Sequence, residues 1–196
     1  MPTTIKPIIY KTREIRGKND FLKTLEKDIR IDKGADADIL LDYPVVYMHV
    51  WQSAHDKLMN RYKIYIGEAD NVVRRQNGHW AAAVDPKHPG NWQHEMNKDK
   101  DELGNKVVPT LYIIGHPMFH KSMTLDIENR LMVYCMAMPT ADVRNGRYNP
   151  QRSYYGDDNT DAIFGFIWNY LRKDNPELFL KESLIQKSAL YKASPN

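Results

Sequence analysis

Cysteine is almost absent from this chain of 196 residues, since Cys135 is the only one. A single cysteine excludes an intrachain disulfide and a zinc site made of clustered cysteines, and it is typical of a protein from the reducing cytoplasm. Long apolar stretches are lacking as well, because the longest uninterrupted run is the eight residues 131–138. A membrane-spanning helix needs about 18 or more apolar residues. The sequence therefore predicts a cytoplasmic protein with no membrane segment.

Neither sign of charge dominates the chain. Lysine and arginine number 28 against 25 acidic residues, a net charge of +3, which neither requires nor excludes a nucleic-acid partner. Residues 1–33 are more basic, with a net charge of +4. The sequence also has no GxxxxGK[ST] loop, no dinucleotide-binding fingerprint and no serine in a GxSxG context, so the commonest nucleotide-binding and serine-hydrolase sites are excluded.

Apolar residues form 42% of the chain, enough to build a core. Apolar and β-branched runs predict three strands, at residues 45–51, 62–67 and 107–115, with the first two paired antiparallel through a loop at 55–60. Helical periodicity predicts five helices, at residues 20–31, 71–80, 121–138, 158–172 and 177–187. Residues 85–106 are predicted to form a long loop, and residues 145–156 an irregular segment.

These elements predict an α+β fold with a small, mostly antiparallel three-stranded central sheet flanked by helices. The predicted organisation is an N-terminal helical extension at 1–43, a catalytic domain at 44–156, and a C-terminal helical extension or linker at 157–196.

Glu128 is the most informative residue for function. In the predicted helix 121–138 it shares a face with Leu125, Leu131, Met132 and Cys135. A carboxylate in an apolar stripe is unfavourable unless it meets a cation, a metal or several hydrogen-bond donors. Taken alone, such a glutamate more often forms a structural salt bridge to an arginine.

Two further groups of residues are candidates. Asn71, Arg75 and His79 recur every four residues on one helix face, where arginine and histidine could grip a phosphate, although such a face is often only solvated. Tyr47 and Tyr65 lie on the first two strands, where aromatic residues often serve only in packing.

In this order along the chain, these residues resemble the GIY-YIG nuclease superfamily. Its first motif corresponds to Val45-Val46-Tyr47, with Val45 where the family usually has glycine, and its second motif to Tyr65-Ile66-Gly67. The family's conserved polar positions match Asn71, Arg75, His79, the helical Glu128 and a following asparagine, Asn145 or less closely Asn149. The resemblance covers about residues 44–150, and it implies the GIY-YIG fold.

The resemblance implies an endonuclease that hydrolyses DNA phosphodiester bonds with a divalent metal, Mg²⁺ or, as a substitute, Mn²⁺. Glu128 would hold the metal, and Arg75 the scissile phosphate. Tyr47, with a lowered pKa, would act as the general base or relay the proton of the attacking water. The remaining residues would orient the water or the site: Tyr65, His79 and Asn145.

Residues 164–171, 179–182 and 188–195 resemble the linker of larger proteins in which a GIY-YIG domain precedes a helicase-like P-loop ATPase. A P-loop ATPase domain following this chain is therefore an expected partner, besides DNA. Two other functions stay open. One is a catalytically silent nucleic-acid-binding module associated with such an ATPase, for which the basic N-terminus, Arg74 and Arg75 would suffice. The other is an α+β domain unrelated to nucleic acids.

Overall fold

The computed structural model describes residues 6–13, 18–83, 92–145, 154 and 156–180. Five strands form one sheet in the spatial order β1-β4-β2-β3-β5. In chain order they are β1 (Ile8–Thr12), β2 (Val45–Trp51), β3 (Tyr62–Ala69), β4 (Thr110–Gly115) and β5 (Ala141–Val143). Neighbouring strands are antiparallel except β3 and β5, which are parallel. The predicted α+β class is confirmed, but the sheet has five strands rather than three.

The three predicted strands are β2, β3 and β4. The antiparallel pairing of β2 with β3 is confirmed and places Tyr47 opposite Gly67. β4 begins at Thr110 rather than at residue 107, because Pro109 has no N–H to donate to a ladder. The two additional strands are the edge strand β1, which pairs with β4, and the three-residue β5. Each depends on a distant partner strand more than on its own sequence pattern.

Seven α-helices lie in the described residues: α1 (Lys18–Lys33), α2 (Ala37–Leu41), α3 (Ala54–Leu58), α4 (Val72–Ala83), α5 (Trp92–Lys98), α6 (Lys121–Met136) and α7 (Thr160–Asp174). The predicted helices at 20–31, 71–80, 121–138 and 158–172 are confirmed within a few residues at each end. The predicted loops at 55–60 and 85–106 are partly wrong, because they contain most of α3 and all of α5. The predicted helix 177–187 is wrong at 177–180, which are not helical, and 181–187 lie outside the described residues.

Helices cover both faces of the sheet. On one face, Val46 and Met48 of β2 join a core that α6 and α7 complete. On the other face, Val45 and Tyr47 join a core with residues of α1, α2 and α4. Residues of both predicted extensions thus contribute to the cores, through α1 and α7. No helix in the described part of the chain is long and apolar enough to cross a bilayer.

Candidate active site

Tyr47 is the centre of the predicted site, in the middle of β2. Its side chain is fully buried, and its hydroxyl oxygen lies 2.7 Å from Nε2 of His79. The same oxygen accepts a hydrogen bond of 3.1 Å from Nε–H of Arg75. Residues 28 and 32 positions away therefore meet on one hydroxyl group.

The environment of Tyr47 keeps the phenol neutral. Burial raises the pKa of Tyr47 well above its usual value of 10.0, and the neighbouring Tyr65 raises it further. Arg75 opposes this shift through its charge and its hydrogen bond, but it does not cancel it. The predicted lowering of the Tyr47 pKa is therefore wrong for the protein by itself, because burial outweighs the one nearby guanidinium.

Helix α4 supplies the other two groups. Asn71 immediately precedes the helix, and its Oδ1 accepts a hydrogen bond of 2.8 Å from the backbone N–H of Arg74, so it acts as the helix cap. Arg75 is exposed, whereas His79 is only 6% exposed. Burial lowers the pKa of His79 to about 2, helped by the proximity of His49 and Arg75. His79 is therefore a neutral hydrogen-bonding group, and of the two only Arg75 can hold a phosphate by charge.

Tyr65 lies at the more open side of this group. Its ring stacks on Trp92 of α5 with centroids 4.2 Å apart, and it meets the ring of His79 edge to face at 5.6 Å. Tyr65 also lies close enough to raise the pKa values of both Tyr47 and Arg75. We call the group of Tyr47, Tyr65, Arg75 and His79 the tyrosine cluster.

Gly67 leaves the space that the Tyr47 hydroxyl occupies. A Cβ atom at this position would collide with the Tyr47 hydroxyl and lie only 2.5 Å from its Cζ. Gly67 is thus needed because it sits opposite Tyr47 in the ladder, which explains in physical terms why a glycine ends the second motif here.

We expect Gly67→Ala to destabilise the protein by about 1–3 kcal/mol, the usual effect of an added methyl group in a packed core. Urea unfolding measures this directly. Gly78→Ala is the matched control, because a Cβ at this α4 position meets nothing within 4 Å. Alanine in place of a helical glycine stabilises by up to about 1 kcal/mol. Equal unfolding midpoints for the two variants would contradict the packing of Tyr47 against Gly67.

Glu128 lies on α6, over the other face of the sheet. It is half-buried and, within the described residues, forms no hydrogen bond or ion pair. Burial raises its pKa to about 7; the nearby Glu68 also raises it, while Lys121 and Arg75 lower it. Arg75 is therefore close enough to act on Glu128 electrostatically, which connects the tyrosine cluster with the carboxylate.

Glu68 is a further candidate residue that was not predicted from the sequence. It follows Gly67 on β3, and its Oε1 accepts a hydrogen bond of 2.6 Å from Nζ of Lys121. Its Oε2 is buried and has no partner in the described residues. Glu68 lies on the same face of β3 as Ile64 and Ile66, which join the core of the α6 face. This two-residue spacing could have placed Glu68 beside Glu128.

The two glutamates are suited to a divalent cation. An unpaired carboxylate beside a second carboxylate with an unpartnered oxygen is the kind of oxygen donor set that Mg²⁺ accepts, with water completing its coordination. Within the described residues, no group of three or more histidine, cysteine or acidic side chains is arranged to hold a metal. The donor set therefore fits a lightly coordinated Mg²⁺ or Mn²⁺ better than a closed zinc site.

Asn145 lies beside the outer edge of β3. Its Oδ1 accepts a hydrogen bond of 3.0 Å from Ile66 N–H, and its Nδ2 donates one of 2.6 Å to Ile66 O. The side chain thus continues the parallel pairing of β5, which ends at Ile64. This geometry suits orientation of the second motif rather than direct phosphate contact. The alternative, Asn149, lies outside the described residues.

Three other buried residues surround the cluster without having been predicted. His49 of β2 donates from Nε2 to Oε1 of Gln76 at 2.9 Å, and burial lowers its pKa to about 4. Gln93 of α5 contacts His79. Nothing in the sequence marks Gln93, because it lies in a segment without clear periodicity.

A cleft of about 720 Å³ lies elsewhere, along Trp51, Tyr62 and Tyr112. It contains none of the six predicted site residues. Its charged side chains largely neutralise each other, as in the pairs Lys11–Asp174 at 2.7 Å and Lys57–Glu102 at 3.0 Å. The tyrosine cluster is therefore the stronger candidate for chemistry.

Comparisons of the chain with protein-family models, with curated proteins and with solved structures find no match.

Proposed function

We propose that this protein is a metal-dependent endonuclease of the GIY-YIG type that hydrolyses DNA phosphodiester bonds. The observation that carries the proposal is the convergence of Arg75 and His79 on the Tyr47 hydroxyl, with Arg75 also in electrostatic range of the unpaired Glu128. A packing role alone would not require a guanidinium that donates to a buried phenol and also acts electrostatically on an unpaired carboxylate. A cytoplasmic location and a following P-loop ATPase domain belong to the same proposal.

Glu128 and Glu68 would hold the divalent cation, with Lys121 moving away from Glu68 when the cation binds. A bound Mg²⁺ would neutralise the scissile phosphate and stabilise the leaving 3′-oxygen. Glu68 goes beyond the single essential glutamate that the resemblance implies, and its unpartnered oxygen is the reason for including it.

Arg75 would bind the phosphate. Its guanidinium is exposed on one side, and Nε is held by the Tyr47 hydroxyl. The terminal nitrogens can therefore donate to phosphate oxygens, whose negative charge increases in the transition state.

Tyr47 would take the proton of the attacking water. Tyr47, a neutral phenol at rest, would first lose its own proton to the solvent. The water oxygen then forms a bond to phosphorus as the bond from phosphorus to the 3′-oxygen breaks, and the proton of the water passes to the Tyr47 phenolate. His79, with a pKa of about 2, is too weak a base for this step. Its part is to stabilise the phenolate by hydrogen bonding together with Arg75, while Tyr65 orients the water and Asn145 fixes β3.

One experiment separates the three candidate functions. The full chain is incubated with plasmid and branched DNA, with Mg²⁺, with Mn²⁺ or with EDTA, while DNA binding is measured in parallel. Metal-dependent cleavage is expected. Binding without cleavage would favour the silent nucleic-acid-binding module. The absence of both binding and cleavage would favour an unrelated domain. The absence of an ion pair to Glu128 in the described residues argues against its purely structural role.

Arg75→Ala should lose most of the cleavage rate, because both the phosphate contact and a donor to Tyr47 disappear. The logarithm of DNA affinity should also depend less steeply on the logarithm of salt concentration, by about one unit of slope for one lost phosphate contact. Single-turnover cleavage and a salt titration of binding measure the two effects.

Arg74→Ala is the control for Arg75→Ala. Arg74 is also exposed on α4, but it points about 100° away around the helix, and the hydrogen bond to Tyr47 comes from Arg75. Loss of Arg74 should reduce DNA affinity slightly and leave the cleavage rate of bound DNA nearly unchanged. Equal loss of rate in both variants would show that Arg75 contributes only general positive charge.

A further inference from the structure

Helix α5 covers the tyrosine cluster and is firmly attached to the sheet. Lys63 of β3 is only 9% exposed. Its Nζ atom lies 3.2 Å from Oε1 of Glu95 in α5 and 2.9 Å from Oδ2 of Asp99, the residue that follows α5. Trp51 also donates to Asp99 at 2.8 Å. These contacts fix the position of Trp92 and Gln93 at the start of the helix, directly over His79.

We propose that Gln93 is a positioning residue for the hydrolysis: it determines which nitrogen of His79 carries the proton and thereby makes His79 a donor to Tyr47. This inference rests on the proposed function. Gln93 touches neither Glu128 nor the place of the phosphate in any contact described above, so it would act through His79.

The hydrogen bonds define the tautomer. Nε2 of Gln93 lies 2.9 Å from Nδ1 of His79, and an amide NH₂ group can only donate. Nδ1 is therefore the acceptor. A neutral imidazole carries one proton, which must then be on Nε2, and this nitrogen donates to the Tyr47 oxygen 2.7 Å away.

The consequence for Tyr47 is a hydroxyl oxygen that accepts two hydrogen bonds, from His79 and from Arg75. Its own proton is left for Tyr65 or for water on the open side. Two N–H donors stabilise a phenolate more than a phenol, because hydrogen bonds to a charged acceptor are the stronger ones. With the opposite tautomer, Nε2 of His79 would accept the Tyr47 proton, and one of these two donors would be lost.

Gln93 is the group that can select between these states. Both Gln93 and His79 are at most 8% exposed, so water has little access to replace the amide at Nδ1. The Oε1 atom of Gln93 is buried without a partner in the described residues. The side chain therefore contributes to this environment mainly through its bond to Nδ1.

The tautomer can be measured without DNA or metal. In the full-length protein labelled with ¹⁵N, long-range ¹H–¹⁵N spectra distinguish a protonated from an accepting imidazole nitrogen. We expect the His79 proton on Nε2 in the wild type and a mixture of tautomers in Gln93→Met, which keeps a similar side-chain length but cannot donate. A wild-type proton on Nδ1 would overturn the inference, whether or not the variant folds.

The single-turnover rate is the second measurement. Gln93→Met should cleave about 10- to 100-fold more slowly, a loss of the size seen when the hydrogen-bond partner of a metal-binding histidine is removed, with DNA affinity unchanged within about twofold. Gln76→Met is the matched control, because it removes an amide–imidazole bond of the same 2.9 Å length from His49, which does not contact the Tyr47 hydroxyl. It should leave the His79 tautomer and the rate nearly unchanged.

A double-variant test shows whether Gln93 acts through His79. In His79→Gln an amide replaces the ring and can donate to Tyr47 from the position of Nε2. In that background Gln93→Met should change the rate by less than about threefold. Three results would each overturn the inference. The first is that Gln93→Met slows cleavage as much in the His79→Gln background as in the wild type. The others are that Gln76→Met slows cleavage as much as Gln93→Met, and that Gln93→Met alone cleaves at the wild-type rate. A wild type that does not cleave DNA overturns the proposed function instead, while the tautomer measurement still decides the hydrogen-bond assignment.

Discussion

Glu128→Gln is expected to abolish metal-dependent cleavage while leaving DNA affinity within a few-fold of the wild type. The substitution keeps the side-chain volume and removes the negative charge that the cation requires. DNA affinity should persist because phosphate contacts from basic side chains dominate it. Mn²⁺ binding, followed by electron paramagnetic resonance without DNA, should weaken by at least about tenfold, which tests the metal site independently of catalysis.

Asp126→Asn is the matched control on the same helix. Asp126 lies two residues before Glu128, but its carboxylate accepts hydrogen bonds from Arg130 at 3.2 Å and from Tyr154 at 2.8 Å. It should therefore retain Mn²⁺ binding and cleavage. Comparable cleavage by Glu128→Gln and the wild type would remove Glu128 from the mechanism.

Glu128→Gln also has a predictable effect on the free energy of unfolding. Glu128 has a folded-state pKa of about 7 against an ordinary value of 4.5. A raised pKa means that its contribution to stability is fully present below about pH 4.5 and is lost as the pH rises through about 7. Glu128→Gln has no such loss. In urea unfolding without metal, the variant should exceed the wild type in stability at pH 8 and differ little from it at pH 4.

The elements that carry most of the candidate residues could be predicted, because β2, β3, α4 and α6 are specified by their own periodicity. Tyr47, Arg75 and Glu128 lie on these elements, so local patterns place them. The pKa of Tyr47 could not be predicted in the same way. It depends on how completely α4 and β3 enclose the hydroxyl, and burial outweighs the charge of Arg75.

The unpredicted residues depend on contacts between distant segments. Helix α5 has only seven residues and is secured by Lys63 through Glu95 and Asp99, an arrangement without a periodic pattern to reveal it. The sequence interpretation as a long loop therefore missed Gln93. Glu68 is a different case, because strand alternation already directs it to the face of α6.

Tyr47→Phe is expected to slow single-turnover cleavage by about 10²- to 10⁴-fold, the contribution typical of a general acid–base group. The phenyl ring still fills the buried site opposite Gly67, so DNA affinity should not change. Some loss of stability, about 1–3 kcal/mol, is expected because Nε2 of the buried His79 loses its hydrogen-bond partner. Urea unfolding separates this loss from the chemical effect, provided that the rates are measured where both proteins are folded.

The pH profile is the sharper test of Tyr47. Because burial raises the pKa of its phenol, the wild-type rate should climb with pH as the phenolate fraction grows, until the tyrosine or the coupled tyrosine and attacking water have titrated. Tyr47→Phe should lose this limb or shift it. Tyr65→Phe, which removes a hydroxyl of the same network from the more open side, should give a smaller loss and keep the limb. If Tyr47→Phe cleaves slowly but its rate still rises with pH as in the wild type, the titrating group is the water and Tyr47 only orients it. If Tyr47→Phe cleaves at the wild-type rate, the Tyr47 hydroxyl takes no part in the reaction.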